Sequence, residues 1–300
     1  MRLLILGGEG MLGHKLYQIL SPRYETWATF RGPTEVAAGL PVYANAPAGV
    51  LVDRVNAFDF HSIVRAFRHV RPDVVVNCIG IIKQLKEARD PVVSLTINSL
   101  LPHRLADLCG VAGCRFIHMS TDCVFSGRRG RYTESDAPDA QDLYGQSKLL
   151  GEVDRPGCLT LRTSLIGRDF RKRTGLLEWF LSQRGRTVNG YRWMILSGIT
   201  TNRFADMIGA VIERSRDIDG LYHVASLPIS KCDLLVKIRD RLKLDIEIEP
   251  VDGPRCDRSL DGTRFVKATG YPIPAWDELI GDLVDDPTPY DSWRERYATA

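Results

Sequence analysis

The sequence has few of the features that mark secreted, membrane-spanning or metal-binding proteins. Its apolar runs stay below the roughly 18 residues of a membrane span, and glycines interrupt the N-terminal run MRLLILGG too early for a signal peptide. The seven cysteines form no C-x-x-C pair, and the six histidines form no H-E-x-x-H pair. We therefore expect a cytoplasmic protein with free thiols, no metal site and no membrane partner.

An excess of one charge is also missing. The 40 basic and 37 acidic residues leave a net charge of +3 on 300 residues, which is too little to indicate a nucleic-acid partner. Basic residues cluster only in two short runs, at 127–131 and 167–173, and each run is either a solvated loop or an anion-binding loop. Hydrophobic residues make up 44% of the chain, which is typical of a globular protein with a large core.

Short apolar runs alternate with helical patterns in the first half of the chain. Because the runs show no alternation of polar and apolar residues, both faces of the predicted sheet should be covered. This pattern predicts an α/β fold, a Rossmann-type doubly wound parallel sheet with a smaller C-terminal substrate-binding region. We assign 1–167 to the Rossmann domain, with 199–226 returning to it, and 168–198 and 227–300 to the smaller region. The predicted strands lie at 2–8, 25–30, 73–80, 114–120 and 158–167.

Four glycines follow the first predicted strand and open the first helix. Gly7, Gly8, Gly10 and Gly13 satisfy both G-x-G-x-x-G and G-x-x-G-x-x-G. A tight turn, a close approach of the backbone to a pyrophosphate and a helix N-terminus that binds the anion all need positions without side chains. The position of this motif between a strand and a helix therefore predicts a dinucleotide cofactor.

The end of the second strand indicates which dinucleotide binds. The segment TFRGPT carries Arg31, and no acidic residue occurs between the end of this strand and Glu35. An NAD enzyme usually has an acidic residue here for the ribose hydroxyl, whereas an arginine suits a 2′-phosphate. We expect NADPH, with NADH the less favoured cofactor; the alternative is a surface arginine without a role.

Three segments together resemble the extended short-chain dehydrogenase/reductases, and within them the dTDP-4-dehydrorhamnose reductase type. They are GGEGMLG near the N-terminus, STDCVFSG at 120–127 and YGQSK at 144–148. The segments LRTSLIG (161–167) and RSLDGTRF (258–265) resemble the same family more loosely. Two departures concern the substrate: Cys123 replaces the family's usual aromatic residue, and NCIGIIKQ (77–84) replaces an alanine-rich turn.

The resemblance implies a catalytic set of Thr121, Tyr144 and Lys148. Tyr144 would donate a proton to a keto oxygen, because a carbonyl that receives a hydride must have its oxygen protonated or stabilised. Lys148 would lower the pKa of Tyr144 and hold the nicotinamide ribose. Thr121 would bond to the carbonyl, and Ser120 could substitute for it. The implied function is the NADPH-dependent reduction of a nucleotide-linked 4-keto-6-deoxy sugar in polysaccharide biosynthesis.

The resemblance also implies binding residues. Asp59 is equally compatible with an N-cap role, and Lys83 is also compatible with a solvated side chain. Asn98 fits a structural role better than a chemical one. Asn77 ends the strand beside the pyrophosphate. The phosphates of the substrate could also meet Arg168, Arg171, Lys172, Arg173 and Arg192. The cofactor residues are Gly7, Gly10, Met11, Leu12, Gly13, Arg31, Asp59, Phe60, Cys78, Ile79, Gly80, Tyr144 and Lys148, and the substrate residues are Lys83, Trp193, Arg203 and Arg258.

Other functions remain open on the same fold. A dehydratase is disfavoured, because Cys123 stands where a dehydratase would have glutamate. A nucleotide-sugar epimerase is an alternative, with the cysteine as a base. A regulatory subunit that binds dinucleotide without catalysis is another, although all three catalytic residues are present. The sequence leaves the oligomeric state open, with a homodimer as one alternative.

Overall fold

A parallel sheet of seven strands forms the centre of the computed structural model, which describes residues 1–169 and 175–293, except the side chains of Val36 and Ala37. The strand order is β11-β6-β5-β4-β1-β2-β3, and all six neighbouring pairs are parallel. This confirms the predicted doubly wound fold. The strands are β1 (Arg2–Leu6), β2 (Glu25–Thr29), β3 (Leu51–Val52), β4 (Val74–Asn77), β5 (Arg115–Thr121), β6 (Cys158–Thr163) and β11 (Gly220–His223).

Helices cover both faces of the sheet, as the continuous apolar strands predict. In β1, Leu3 and Ile5 belong to one buried cluster while Leu4 and Leu6 belong to another, and all four side chains are fully buried. Successive side chains of a strand point to opposite faces, so β1 needs apolar residues at every position. The α-helices are α1 (Met11–Leu20), α2 (Thr34–Ala38), α3 (Phe60–Val70), α4 (Pro91–Ser94), α5 (Leu101–Ala112), α6 (Leu143–Leu150), α7 (Leu176–Leu181), α8 (Thr201–Arg214), α9 (Lys231–Leu242), α10 (Thr263–Thr269) and α11 (Trp276–Val284).

The strand order reverses at β1, which lies between β2 and β4. In sheets of this type, ligands bind outside the carboxyl ends of the strands at such a reversal. The four strand ends at this edge are Leu6, Thr29, Asn77 and Thr121. The fold thus brings the glycine turn and the STDCVFSG segment to one edge of the sheet.

The helical stretch between β4 and β5 is interrupted. A π-helical segment, Leu95–Leu100, separates α4 from α5, and Pro102 lies in the first turn of α5. Proline has no N–H to donate to the carbonyl four residues earlier, and π-helical turns commonly form where this bonding pattern is broken. The interruption places the Asn98 carbonyl against Gly151, where an added Cβ would lie only 1.8 Å from that oxygen.

The second half of the chain forms small sheets beside the main one. β10 pairs with β7, β13 pairs with β8, and β9 lies between β12 and β14. The segment Gly220–His223 lies in the main sheet next to β6. The helices α10 and α11 lie in the C-terminal segment, for which the sequence analysis predicted no helix. These strands are β7 (Leu165–Ile166), β8 (Arg186–Tyr191), β9 (Met194–Leu196), β10 (Ile199–Thr200), β12 (Ile229–Ser230), β13 (Ile246–Val251) and β14 (Cys256–Asp257).

Candidate active site

The glycine turn between β1 and α1 is shaped for close contact with a ligand. Gly7 has a φ of +87°, a conformation that side chains disfavour. A Cβ on Gly13 would lie 2.1 Å from the Gly7 oxygen. Gly10 is the N-cap of α1 and has no side chain that could bond to the helix. The first N–H groups of α1, those of Met11 and Leu12, are therefore available to an anion. This arrangement fits the pyrophosphate of a dinucleotide.

The loop after β2 contains the predicted Arg31, and the loop after β3 contains a second arginine, Arg54, that was not predicted from the sequence. Arg31 is exposed, and none of the described carboxylates forms an ion pair with it. Arg54 has a φ of 53° and donates its backbone N–H to the Gly32 oxygen at 3.1 Å, which joins the loop after β3 to the loop that carries Arg31. Two guanidinium-bearing residues therefore share this edge of the glycine turn.

The N-terminus of α3 holds the next two predicted cofactor residues. The Asp59 carboxylate accepts a hydrogen bond from the His61 backbone N–H at 3.1 Å, which is the N-cap role that the sequence left open. The Arg104 guanidinium lies 4.0 Å from the centre of the Phe60 ring. Both contacts account for these residues within the fold and leave a cofactor role untested.

The loop after β4 lies directly against the glycine turn. A Cβ on Gly7 would lie 3.1 Å from the Ile79 side chain and 3.3 Å from the carbonyl carbon of Cys78. Asn77 accepts a hydrogen bond from the Ile79 N–H at 3.1 Å. Burial raises the pKa of Cys78, and the charge of Lys148 opposes that rise. Cys78 is therefore near both the glycine turn and the predicted catalytic lysine.

Asn98 has a structural role next to this loop. Its side chain accepts from the Ile81 N–H at 2.9 Å and donates to the Ile81 oxygen at 3.0 Å. It also donates to the Ser147 hydroxyl on α6 at 3.1 Å. The π-helical segment therefore holds the loop that follows Gly80 and helix α6 at a fixed separation.

Helix α6 begins where its sequence allows it to approach the end of β5. The Asp142 carboxylate caps the helix by accepting from the Gly145 N–H at 2.8 Å. A Cβ on Gly145 would lie 2.3 Å from the Cys123 oxygen, so only glycine permits this approach. Tyr144 and Lys148 lie on one face of α6, four residues apart.

Thr121, Tyr144 and Lys148 meet at the carboxyl end of β5. The Thr121 side chain lies beside that of Tyr144, and its hydroxyl donates to the Asp122 carboxylate and accepts from the Cys123 N–H, both at 3.1 Å. The Lys148 ammonium donates to the Met119 oxygen at 2.5 Å. The strand that ends at Thr121 thus contacts both residues of the tyrosine–lysine pair. The Ser120 hydroxyl instead donates to the Glu152 carboxylate at 2.5 Å, which removes it as a substitute for Thr121.

The electrostatics of the pair differ from the expectation. Burial raises the pKa of Tyr144 above its ordinary value, and the neighbouring Thr121 side chain opposes that rise; Lys148 is not among the causes. Burial also lowers the pKa of Lys148 to about 8, although the charge of Glu152 opposes the change. Tyr144 is therefore a neutral phenol near neutral pH, which is the state that a proton donor needs.

Two predicted substrate residues lie around Cys123. The Lys83 ammonium lies 2.7 Å from the Asp142 carboxylate. The Arg258 guanidinium donates to the Phe125 oxygen at 2.8 Å, and its charge acts on Cys123 and Asp142. Burial raises the pKa of the Cys123 thiol to about 12, so at neutral pH this residue is a protonated thiol and a poor base.

The other substrate candidates have partners within the protein. The Trp193 ring is half exposed, its N–H donates to Asp252 at 3.2 Å, and its backbone oxygen accepts from the Cys256 N–H next to Arg258. The Arg203 guanidinium pairs with Glu278 and Asp282 of α11 at 2.8 and 2.9 Å, which counts against a role in substrate binding.

The basic loop is only partly accounted for. Arg168 pairs with Glu178 at 2.9 Å and with Asp291 at 3.0 Å, and Arg192 lies 3.5 Å from Asp252. Arg171, Lys172 and Arg173 lie outside the described residues. Across 1–169 and 175–293, the structure has no group of three or more His, Cys, Asp or Glu residues placed to hold a metal ion. No helix in the same ranges is long and apolar enough to cross a membrane.

A family model, the RmlD substrate binding domain, matches residues 1–288. The chain belongs to this family. Two curated relatives also match it. They are methionine adenosyltransferase 2 subunit beta of Danio rerio, 29% identical over 57% of this chain and 50% of the relative, and a probable low-salt glycan biosynthesis reductase, Agl14, of Haloferax volcanii, 30% identical over 58% of this chain and 60% of the relative. The chain therefore spans about half to three fifths of the length of these relatives.

Solved structures resemble this member of the RmlD substrate binding domain family over nearly its whole length. A hypothetical dTDP-4-dehydrorhamnose reductase from Sulfolobus tokodaii has a TM-score of 0.74 and 27% identity, over 92% of this chain and 98% of that chain. The dTDP-4-dehydrorhamnose reductase of Bacillus anthracis in complex with NADP has a TM-score of 0.76 and 20% identity, over 94% and 98%. The second likeness establishes the fold alone.

Proposed function

We propose that the chain is an NADPH-dependent reductase of a nucleotide-linked 4-keto-6-deoxy sugar. One observation carries the proposal: the tyrosine–lysine pair of α6 and the glycine turn meet at one edge of the sheet, linked through Cys78. A dinucleotide whose pyrophosphate rests on the glycine turn would extend along this edge toward Tyr144 and Lys148. The arrangement suits hydride transfer next to a proton donor.

The proposed reaction adds a hydride to the keto carbon and a proton to the keto oxygen, so that the ketone becomes an alcohol. NADPH supplies the hydride when it is bound. Tyr144 donates the proton from its neutral phenol, and Thr121 lies beside the Tyr144 side chain, where its hydroxyl would bond to the carbonyl. Lys148 is fixed by its bond to the Met119 oxygen and would hold the nicotinamide ribose.

The choice of NADPH rests on the loop after β2. Arg31 and Arg54 are brought together by the backbone hydrogen bond between Arg54 and Gly32. Guanidinium groups bind phosphate oxygens through paired hydrogen bonds, so both residues suit the 2′-phosphate. The Bacillus anthracis structure of the same fold contains NADP, which supports a nicotinamide dinucleotide without deciding between NADPH and NADH.

The proposed substrate class rests on groups across the crevice. Arg258 and Lys83 place positive charge around Cys123. The half-exposed Trp193 is joined to the same region, because its backbone oxygen accepts a hydrogen bond from the N–H of Cys256, two residues before Arg258. A nucleoside diphosphate has the two features that such groups recognise, negative phosphates and an aromatic base. Two similar proteins are named as dTDP-4-dehydrorhamnose reductases, which agrees with this class.

A regulatory subunit is the second candidate, because one curated relative is the beta subunit of methionine adenosyltransferase 2. The complete set of Thr121, Tyr144 and Lys148 favours catalysis over that role. Epimerisation is less well supported, since a base at Cys123 would need a thiolate and the pKa of this thiol is about 12.

The deciding experiment follows cofactor and product together. The purified protein is mixed with NADPH and a panel of nucleotide-linked 4-keto-6-deoxy sugars, and NADPH absorbance and sugar product are measured. A reductase consumes one NADPH for each alcohol formed. An epimerase changes the sugar without net loss of NADPH, and a regulatory subunit binds the cofactor without changing any substrate. Either of the last two results would refute the proposed function.

A further inference from the structure

A buried ion pair lies beside the catalytic end of β5. The Glu152 carboxylate accepts hydrogen bonds from the Arg162 guanidinium, from Nε and Nη2, both at 2.7 Å. It also accepts from the Ser120 hydroxyl at 2.5 Å. The side chains of Arg162 and Glu152 are only 3% and 10% exposed. Arg162 is the register partner of Ser120 in the neighbouring strand, so the pair fixes the end of β5 to β6.

Ser120 stands between two residues of the proposed site. The residue before it, Met119, accepts the hydrogen bond of the Lys148 ammonium. The residue after it, Thr121, lies beside Tyr144. A shift of Ser120 would therefore displace both contacts that the strand makes with the tyrosine–lysine pair.

Glu152 also acts on Lys148 by its charge. It follows Lys148 by four residues, just beyond the end of α6. Burial lowers the pKa of Lys148, and among the neighbouring charges Glu152 does most to oppose that change, followed by Cys78 of the loop after β4. An anion beside a buried ammonium group stabilises its protonated form.

Apart from Arg162 itself, the titratable groups around Lys148 and the Glu152–Arg162 pair are neutral near neutral pH. His118 of β5 has a pKa well below its ordinary value, because of burial and the charge of Lys148. His223 of β11 contacts Arg162 at 3.3 Å, and burial lowers its pKa to about 4. The pKa of Tyr144 and that of Cys78 are both raised by burial. Glu152 is therefore the anion that acts on Lys148.

We propose that Glu152, held by Arg162 and Ser120, is a positioning residue that keeps Lys148 protonated and fixes the strand end that carries Thr121. It touches neither substrate nor cofactor and acts through these neighbours. The inference rests on the proposed function for its catalytic meaning, while its electrostatic part concerns the protein alone.

The first test is an NMR titration of the Lys148 side chain in the full-length protein. The Lys148 signal is identified by its absence from the spectrum of Lys148→Arg. Glu152→Gln keeps an oxygen acceptor for Ser120 and removes the charge, so the pKa of Lys148 should fall below about 8, by roughly one unit. Glu152→Asp keeps the charge and should leave this titration close to that of the unmodified protein.

The second test is the pH profile of kcat with NADPH and a keto-sugar nucleotide. Turnover that needs the ammonium form of Lys148 declines as pH rises through its pKa. The alkaline decline of Glu152→Gln should therefore occur about one pH unit lower. Glu152→Asp should lower kcat at every pH, through the displaced Ser120, without moving the decline.

Two further variants keep the test decisive. Glu152→Gln leaves the Arg162 guanidinium buried without its partner and could fail to fold, so the double variant Glu152→Gln/Arg162→Gln is made as well. The double variant removes the buried guanidinium together with its partner, so it should fold and should shift the Lys148 titration in the same direction as Glu152→Gln. Asp286→Asn breaks another buried pair, with Lys15 at 2.6 Å, and should lower the melting temperature without moving the Lys148 titration.

An unchanged Lys148 titration in both charge-removing variants would overturn the inference, as would equal shifts in Glu152→Asp and Glu152→Gln. If the unmodified protein reduces no keto sugar, the proposed function fails, and the NMR titration still decides whether Glu152 controls Lys148.

Discussion

The two sides of the crevice, to which we assign the cofactor and the substrate, are built in different ways. On the cofactor side, the glycine turn, the loop after β4 and the end of β5 are consecutive strand ends of one parallel sheet. Their shape depends on missing side chains, as at Gly7 and Gly13. On the substrate side, side chains from small sheets and loops converge, and several basic groups, such as Arg203, already have acidic partners.

This difference explains which kind of residue can be recognised in a sequence. A glycine that is required by a neighbouring backbone atom is tied to its place in a strand–turn–helix unit, so its role follows from local pattern. An arginine on the substrate side has no such constraint. Whether Arg258 or Arg203 is free for a ligand depends on segments that lie 130 or 80 residues away, and only the folded chain shows those partners.

Among the variants that test this difference, Tyr144→Phe should have the largest effect on activity. It removes the proton donor and keeps the ring, so kcat should fall by about 10²–10⁴-fold with little change in NADPH affinity. Steady-state kinetics and a cofactor titration check both parts. Tyr24→Phe is the matched control, since its hydroxyl bonds to Glu213 at 2.6 Å, and it should keep its turnover. Full activity of Tyr144→Phe would remove the tyrosine from the mechanism.

Gly13→Ala should break the cofactor side. The added Cβ would lie 2.1 Å from the Gly7 oxygen, and overpacking of this kind costs about 1–3 kcal/mol. We expect the Kd for NADPH to rise by about 10–100-fold, measured by calorimetry. Gly110→Ala is the control, because an added Cβ in α5 would meet nothing within 4 Å. Equal affinities of the two variants would contradict the glycine-turn assignment.

Arg31→Asp should change which cofactor binds. The carboxylate repels a 2′-phosphate and accepts from a ribose hydroxyl, so the preference for NADPH over NADH should fall by about tenfold, or 1.4 kcal/mol. Arg54→Gln should lower the same preference by less, since it removes one charge and adds none. The measurement is kcat/KM with each cofactor. Equal kcat/KM values for NADPH and NADH, in the unmodified protein and in Arg31→Asp, would show that this loop does not determine the cofactor preference.

The smallest effects should come from the substrate-side arginines. Arg258→Gln should raise the KM for a keto-sugar nucleotide by up to about fivefold, if its charge contributes the roughly 1 kcal/mol found for partly exposed pairs, with less effect on NADPH affinity. Arg203→Gln should instead lower the melting temperature, because it loses Glu278 and Asp282, and leave KM unchanged. If KM rose for Arg203→Gln and not for Arg258→Gln, Arg203 would be the substrate-binding residue and Arg258 the structural one.

Much of the fold could be predicted from the sequence, and less of the site. The buried strands and the glycine turn follow from local patterns, and the structure has them in one sheet. Glu152 and Arg162 were missed, although Arg162 lies in a segment that resembles the family, because their pairing depends on the register of β5 and β6. The π-helical turn at Asn98 was also missed, because its role depends on contacts with Ile81 and Gly151, which are distant in the sequence.

The measurement that tests the account most directly compares kcat/KM for a free 4-keto-6-deoxyhexose with that for its nucleotide-linked form, at saturating NADPH. Binding energy from a nucleotide on the substrate side would position the keto carbon at Tyr144, so the account predicts a higher kcat as well as a lower KM for the linked sugar. Comparable values of kcat/KM for the two sugars would contradict it, because the groups around Arg258 would then contribute nothing to the reaction.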